Sequence, residues 1–216
     1  LRTINGGNTW NTVSSGLPML WGIRFLNANT GFITGKNGTI LKTVNAGLNW
    51  TIINSSTTVQ LWGINFINDM TGFIAGGTFE PNKSKILGDG LILKTTNGGN
   101  SWSTVLSGYG NTIFCITFPN QNTGYAGGAE GTILKTINGG VTWSPLNSGS
   151  NMYFFGLSAI DQNSVTVSGA RVSGSGGMLL RTTNGGTSWN CCLNPSDTNT
   201  VYISVQYSSA NTGYAA

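Results

Sequence analysis

The segment Thr95-Thr96-Asn97-Gly98-Gly99-Asn100-Ser101-Trp102 is one of five copies of the same eight-residue pattern in this chain of 216 residues. The pattern reads Thr, any residue, Asn, any residue, Gly, any residue, a small or polar residue, and Trp. The other four copies occupy residues 3–10, 43–50, 136–143 and 182–189. The five tryptophans are separated by 40, 52, 41 and 46 residues, a period typical of a propeller blade with four strands.

Short runs with strand-like alternation surround each copy of the pattern. The first run of a unit, Trp21–Phe25, recurs at residues 62–66, 114–118, 155–159 and 203–207. Its first, third and fifth positions are apolar, and its second and fourth are small or polar, so the two faces of the strand differ. Small residues suit the innermost strand of a blade, where blades crowd around an axis. We therefore predict an all-β fold, a β-propeller of four-stranded blades.

The eight-residue pattern itself predicts a tight hairpin between the third and fourth strands of a blade. Asn followed by Gly adopts positive φ at little steric cost, and Thr and Asn side chains bond to turn backbone groups. The Trp is predicted to be buried between neighbouring sheets, with its indole N–H on a carbonyl oxygen. The residues given this structural role are Asn5, Trp10, Asn45, Trp50, Asn97, Trp102, Asn138, Trp143, Asn184 and Trp189.

The pattern resembles the Asp-box, the turn motif of bacterial neuraminidase (BNR) repeats, although the acidic position is Asn in all five copies. With Ile40–Thr43 (Ile-Leu-Lys-Thr) before the turn and Asn122–Tyr125 (Asn-Thr-Gly-Tyr) after the first strand, the chain is most similar to propellers of the photosystem II stability/assembly factor type. Similar repeats are common in secreted bacterial surface proteins. The resemblance covers essentially the whole chain, and it implies that the box is a structural turn without catalytic residues.

The repeats predict a single β-propeller domain over residues 1–216. Four units are continuous, and the fifth is split, with its first two strands in residues 201–216 and its last two in residues 1–13. Two interpretations are open: a five-bladed ring closed by both ends, or part of a larger propeller, since assembly-factor relatives usually carry seven blades. Because the sequence starts without Met and stops inside a strand, we expect a fragment of a longer chain.

The composition indicates a surface built from neutral polar groups. Charged residues make up 7% of the chain, against about 25% in an ordinary soluble domain, which favours an extracellular or cell-surface protein. No apolar run approaches the ~18 residues of a membrane span. The net charge of +4 is too small and too dispersed to indicate nucleic-acid binding.

The sequence offers little for catalysis or metal binding. It has no His, and no two of its acidic residues share an inner-strand position as the carboxylate pair of a glycosidase would require. We therefore predict that the protein is not an enzyme and carries no cofactor and no metal. Cys115, Cys191 and Cys192 lack metal-ligand spacing and are predicted to be structural, with a disulfide to another segment as the alternative. The acidic residues are Asp69, Glu80, Asp89, Glu130, Asp161 and Asp197.

A basic residue recurs at one position of the third strand in every unit. A ring of such cations could attract an anionic polysaccharide, phosphate or acidic protein face. Alternatively, each cation keeps an outer strand soluble and discourages edge pairing, and duplication has copied it. We favour this second interpretation. The five residues of this candidate basic ring are Arg2, Lys42, Lys94, Lys135 and Arg181.

The second unit contains an insertion, residues 78–90, which explains the longest spacing between tryptophans. Long loops on a rigid scaffold often carry function, so this segment is a candidate interaction loop, and a merely tolerated insertion is the alternative. Its charged residues are Glu80, Lys83, Lys85 and Asp89.

Together these features predict a non-catalytic extracellular or cell-surface propeller that serves as a structural or protein-interaction module. The alternative is a carbohydrate-binding, lectin-like propeller in which exposed aromatics such as Tyr109, Tyr153 or Trp21 stack on sugars. The predicted partner is accordingly a protein or a surface polysaccharide. A role in assembling photosynthetic complexes is implied by the resemblance alone.

The repeat pattern yields a first test of stability. Replacing Trp102 with Ala is expected to lower the free energy of unfolding by about 3–5 kcal/mol, as for a large buried aromatic, whereas the sequence predicts little cost for Lys94→Ala. Thermal and denaturant unfolding of both variants measures the difference. Equally small effects would show that the Trp positions are not buried.

Overall fold

The structure, a computed structural model, describes residues 1–79, 89–171, 176–193 and 200–216. These residues form four sheets of four strands and one sheet of two strands. The first two sheets contain β1 (Leu20–Phe25), β2 (Gly31–Gly35), β3 (Ile40–Thr43), β4 (Thr51–Ile53), β5 (Leu61–Phe66), β6 (Gly72–Gly76), β7 (Gly90–Thr95) and β8 (Ser103–Tyr109). The next two contain β9 (Ile113–Thr117), β10 (Gly124–Gly128), β11 (Ile133–Thr136), β12 (Ser144–Leu146), β13 (Tyr153–Ala159), β14 (Val165–Ala170), β15 (Gly177–Thr182) and β16 (Asn190–Cys191). The two-stranded sheet contains β17 (Val205–Ser209) and β18 (Thr212–Ala215).

Each four-stranded sheet is an antiparallel meander in which strand order follows the sequence. A 3₁₀ turn, Lys36–Gly38, joins β2 to β3 in the first sheet. The first strands of successive sheets, β1, β5, β9, β13 and β17, contact one another in that order. This arrangement, with the first strand of each sheet innermost, is that of β-propeller blades, and it confirms the predicted fold class.

The eight-residue turns are closed by hydrogen bonds from their Thr and Asn side chains. In the third-blade turn, the Thr136 hydroxyl donates to Asn138 Oδ1 (2.9 Å) and accepts from the Gly140 backbone N–H (3.0 Å). Asn138 Oδ1 also accepts from the Thr142 N–H (3.0 Å), and Asn138 Nδ2 donates to the Thr142 hydroxyl (2.8 Å). An amide at the acidic position therefore keeps the acceptor role of a carboxylate and adds a donor, which explains why Asn is compatible with the turn.

The core lies between neighbouring blades. Phe32 of the first blade stacks on Phe66 of the second, with ring centroids 4.9 Å apart, and Trp102 meets both rings edge-on. Trp102 is only 7% exposed, as predicted from the repeat, whereas the prediction is wrong for Trp10, which is 58% exposed. The expected hydrogen bond of the indole is missing, however, because the buried Nε1 atoms of Trp102, Trp143 and Trp189 have no partner among the described residues. These tryptophans act by packing alone.

The split fifth unit is described as two separate pieces. Its first half is the β17–β18 sheet, and its second half is a turn closed by a bridge between Arg2 and Asn11. No backbone hydrogen bond joins the two pieces among the described residues. The first piece packs against the fourth blade through β13, and the second reaches the first blade through a hydrogen bond from Arg2 Nε to the Ala46 carbonyl (2.8 Å).

Substitutions at two glycines with similar φ angles distinguish the cost of backbone strain from the cost of a steric clash with the neighbouring blade. Gly140 has φ of +74°, and a Cβ there would lie 2.3 Å from a ring carbon of Phe73 in the preceding blade, whereas Gly149 has φ of +66° and open space. Gly149→Ala is expected to cost about 1–2 kcal/mol from the left-handed backbone alone. Gly140→Ala should cost a further ~1–3 kcal/mol from overpacking. Denaturant unfolding measures both, and equal losses would contradict close packing of the turn on the preceding blade.

Candidate interaction surface

Four of the five cations of the candidate basic ring lie between blades and donate a hydrogen bond to the next turn. Lys94 Nζ donates to the Gly139 carbonyl (2.7 Å) and lies 5.3 Å from the ring centroid of Phe73. Lys42 and Lys135 repeat both contacts, with Gly98 and Phe32 and with Gly185 and Tyr125. In every case the acceptor is the residue that follows the Asn of the next turn, the position that Ala46 also holds for Arg2. We call these interactions the interblade cation contacts.

These contacts give the basic residues a structural role between neighbouring blades. Partial burial lowers the pKa of Lys42 and of Lys135 below its usual value, because desolvation disfavours the charged form. The ammonium groups are engaged by backbone carbonyls and aromatic faces, so they hold neighbouring blades together. Neither interpretation of the sequence, anion attraction or surface solubility, included this contact. Arg181 differs, since its buried Nε has no hydrogen-bond partner in the described part of the chain.

The blades have two unlike ends. At one end, the turn rim, lie the eight-residue turns and the connections between first and second strands, which carry Asp69 and Asp161. Asp161 Oδ1 accepts the backbone N–H groups of Asn163 (2.7 Å) and Ser164 (2.8 Å), and these hydrogen bonds hold its pKa below the usual value. Its carboxylate therefore stabilises the turn in which Asp161 lies.

At the opposite end, the loop rim, the connections run from the second to the third strand. The candidate interaction loop belongs here, but Glu80, Lys83 and Lys85 lie outside the described residues. Asp89 is described and exposed, and it accepts a hydrogen bond from the Thr78 hydroxyl (3.4 Å). The other described charges of this rim are Lys36, Glu130 and Arg171, all exposed.

A row of aromatic side chains lines the loop rim at the start of the innermost strands. In each of four blades one residue of the first strand has no opposite residue on the second strand, the pattern of a β-bulge. The extra residue is aromatic every time, and these four residues, the aromatic row, are Trp21, Trp62, Phe114 and Phe155. Bulges re-aim side chains and recur near functional sites, so the row is the candidate interaction surface.

Ring contacts run continuously along the aromatic row. Trp21 stacks on Trp62 with centroids 4.1 Å apart, Trp62 meets Phe114 edge-on at 5.3 Å, and Phe114 lies 4.9 Å from Phe155. The indole N–H of Trp62 donates to the Gly77 carbonyl (3.0 Å). Phe114 is buried, whereas Trp21, Trp62 and Phe155 are half-buried. The row thus combines a fixed geometry with apolar surface that a partner can reach.

The insertion in the second blade begins directly on the aromatic row. Phe79, its second residue, meets Phe114 at 5.3 Å and Tyr153 at 5.9 Å, both edge-on. Tyr153 is almost fully buried beneath it, and burial together with the nearby charge of Glu130 raises its pKa. The structure therefore brings together the start of the candidate loop and the aromatic row, two features that are unconnected in the sequence.

Of the aromatic row, the sequence singles out only Trp21, as an exposed aromatic of the lectin-like alternative, because Trp62, Phe114 and Phe155 recur in register as ordinary apolar positions of the first strand. The signal available in the sequence was the change of side-chain size along the run: aromatic at position one, then Gly or Cys at position two. Tyr109, expected to be exposed, is half-buried against the core of the second and third blades. Tyr153 is buried, and only Trp21 of these three aromatics belongs to the row.

The cysteines occupy two environments. Cys115 is buried, and burial raises the pKa of its thiol to about 12, whereas Cys191 and Cys192 are exposed. Within the described residues, no group of three or more His, Cys, Asp or Glu side chains is placed to hold a metal ion. In the same part of the chain, no helix has the length and apolar character needed to cross a membrane.

Comparison with known proteins identifies what the chain resembles. The family model of the photosynthesis system II assembly factor YCF48 matches residues 100–197, and no curated protein sequence matches the chain. A solved structure of YCF48 bound to D1 peptide is 17% identical, with a TM-score of 0.65 over 88% of this chain and 57% of that one. YCF48 from Cyanidioschyzon merolae is 15% identical, with a TM-score of 0.68 over 97% of this chain and 71% of that one.

Enzymes share the same architecture. An ancestral GH74 enzyme is 18% identical, with a TM-score of 0.71 over 91% of this chain and 28% of that one. At these identities the likeness establishes the fold. The chain resembles YCF48 and other propellers built from BNR or Asp-box repeats, and it spans 57% of the YCF48 structure that holds the peptide.

The interblade cation contacts revise the expectation for Lys94. Lys94→Met keeps the apolar stem but removes the charge-assisted hydrogen bond to Gly139, and we expect a loss of about 1.5–3 kcal/mol. Lys36→Met, at an exposed lysine of the loop rim, is the matched control and should change stability by less than about 0.5 kcal/mol. Chemical denaturation of both variants provides the measurement. A loss at Lys94 no larger than that at Lys36 would show that the contact contributes nothing.

Proposed function

We propose that this chain is a non-catalytic module that binds a protein partner on the loop rim, with the aromatic row as its anchor. The observation that carries the proposal is the repeated bulge. It occurs at Trp21, Trp62 and Phe155, which lie half-exposed on innermost strands. Aromatic side chains dominate binding energy at protein interfaces, because they bury large apolar area with little loss of conformational freedom. Four exposed charged residues in the described part of the chain, Lys36, Asp89, Glu130 and Arg171, belong to the same rim as this row.

Two further observations support a protein partner. The YCF48 structure that this chain resembles is bound to a peptide. The faces of Trp21 and Trp62 are stacked on each other at 4.1 Å, so one face of each ring is not free to stack on a sugar. The ring edges and partly covered faces of the aromatic row fit an apolar side chain of a peptide better than the flat face of a pyranose sugar.

The contacts and positions of the described acidic side chains argue against catalysis. Asp161 closes its own turn, and Asp69 and Asp161 lie at the opposite end of the blades from Asp89 and Glu130. A GH74 enzyme shares the fold, and fold alone does not assign activity. We also propose a secreted or cell-surface location, which the 7% content of charged residues supports.

A selection with random peptides tests the proposal without assuming the identity of the partner. Peptides enriched on the wild-type chain are measured by calorimetry against Trp21→Ala and Phe155→Ala, with Ile137→Ala as control, since Ile137 is an exposed apolar residue of the turn rim. We expect at least one row variant to lose about 30-fold in affinity, the effect of a hot-spot residue of ~2 kcal/mol. The Ile137 variant should bind like the wild type.

Two outcomes would contradict a protein-binding row. One is a set of peptides that bind all variants equally. The other is saturable binding of a defined sugar on a glycan array, abolished by the same row variants, which would establish the carbohydrate-binding alternative.

A further inference from the structure

Two exposed acidic residues of the loop rim, Asp89 and Glu130, are joined by a chain of hydrogen bonds. Asp89 accepts a hydrogen bond from the Thr78 hydroxyl (3.4 Å), and the Thr78 carbonyl accepts one from the Thr112 hydroxyl (2.5 Å). The Thr112 carbonyl in turn accepts from the backbone N–H of Ala129 (2.9 Å), the residue before Glu130. The two acids therefore belong to neighbouring blades that are tied together at this rim.

The same residues pack on the centre of the aromatic row. Phe79, which follows Thr78, meets Trp62 and Phe114 edge-on, with ring centroids 6.0 and 5.3 Å away. Ala129 is fully buried in the apolar cluster that contains Phe114. Both acidic side chains are therefore attached to backbone that is fixed against the two middle rings of the row.

Glu130 has a backbone conformation that its residue type rarely adopts. Its φ is +51°, in the turn between β10 and β11, whereas the equivalent turn of the first blade has Asn37, with φ of +57°. Asn enters the left-handed region more readily than Glu does. Among the described residues, the Glu130 carboxylate has no hydrogen bond and no ion pair that would explain its presence there. Residues held in such conformations cluster at functional sites.

The two outer blades of the row carry basic residues at this rim. The backbone N–H of Lys36 donates to the Met19 carbonyl (2.8 Å), just before β1 begins. Arg171 directly follows β14, whose last residue pairs with the first residue of β13. β1 and β13 are the strands that carry Trp21 and Phe155, the outer members of the row. From the first blade to the fourth, the described charges of the rim are therefore basic, acidic, acidic and basic.

We propose that the loop rim recognises a peptide in which a Lys or Arg side chain between apolar residues binds at Asp89 and Glu130. This inference rests on the proposed function, because it specifies the partner of the aromatic row. Charge complementarity selects partners and fixes their orientation at an interface. The stem of a Lys or Arg side chain also packs on aromatic rings while its charged end reaches a carboxylate. Lys36 and Arg171 favour acidic residues toward the two ends of the same peptide.

Peptides selected on the wild-type chain test this specificity. We expect them to contain a basic residue between apolar ones, and its replacement by Met in the peptide should weaken binding about tenfold, as for loss of a charge-assisted hydrogen bond. Glu130→Gln should cause a similar loss for the basic peptide and none for its Met version. Calorimetry at low and high salt measures these affinities, and salt should reduce the difference by screening. Asp69→Asn, at an exposed acid of the turn rim, is the matched control and should change neither affinity.

A second variant separates recognition from folding. Glu130→Asn should raise the midpoint of thermal unfolding, because Asn adopts the left-handed conformation more readily. It should nevertheless lose about as much affinity for the basic peptide as Glu130→Gln does, since both remove the charge. A variant that loses stability and affinity together would show that Glu130 is kept for its turn, which would overturn the proposal.

Failure of this inference is distinguishable from failure of the proposed function. Peptides that depend on Trp21 and Phe155 but carry no basic residue, or that bind Glu130→Gln like the wild type, would overturn the inference and leave the row as a protein-binding surface. Peptides that bind all row variants equally would overturn both. A basic preference that appears only after Lys83→Met and Lys85→Met would assign the carboxylates to the chain's own lysines, which also overturns the inference.

Discussion

Each blade of this propeller depends on the next blade to cover the apolar face of its second and third strands. A single four-stranded sheet leaves Phe32, Ile40 and their equivalents in water, and the neighbouring blade covers them, with its first strand and its turn Trp among the residues in contact. The interblade cation contacts fix the alignment of that cover, since each cation reaches one carbonyl of one turn. Repetition of this interface sets the spacing of the blades and hence the position of both rims.

The fold was predictable because its signals are local and repeated five times. Strand alternation, the Asn-Gly turn and the buried Trp102 all lie within one unit, and repetition corrects the ambiguity of any single copy. The role of Lys94 was not predictable in the same way. Its partner Gly139 is 45 residues away, and the contact depends on the distance between two sheets, which no pattern within a unit contains.

The candidate interaction surface escaped prediction for a different physical reason. A bulge changes hydrogen-bond pairing without changing the alternation of residue types, so nothing in the sequence separates Phe155 or Trp62 from an ordinary apolar strand position. The pairing shift at Trp21 and Phe155 appears only in the structure. The charged insertion was located from its length, and its start at Phe79 does lie on the row, but its charged residues from 80 to 88 are outside the described structure.

The amide at the acidic position of the turns has a consequence for acid tolerance. A carboxylate that accepts backbone N–H groups in the folded state has a depressed pKa, so its contribution to stability is lost as the pH falls through that value. The side chains of Asn5, Asn45, Asn97, Asn138 and Asn184 accept the same bonds with a group that does not titrate. The turns that close the blades of this propeller therefore keep hydrogen bonds that do not depend on the protonation of a carboxylate.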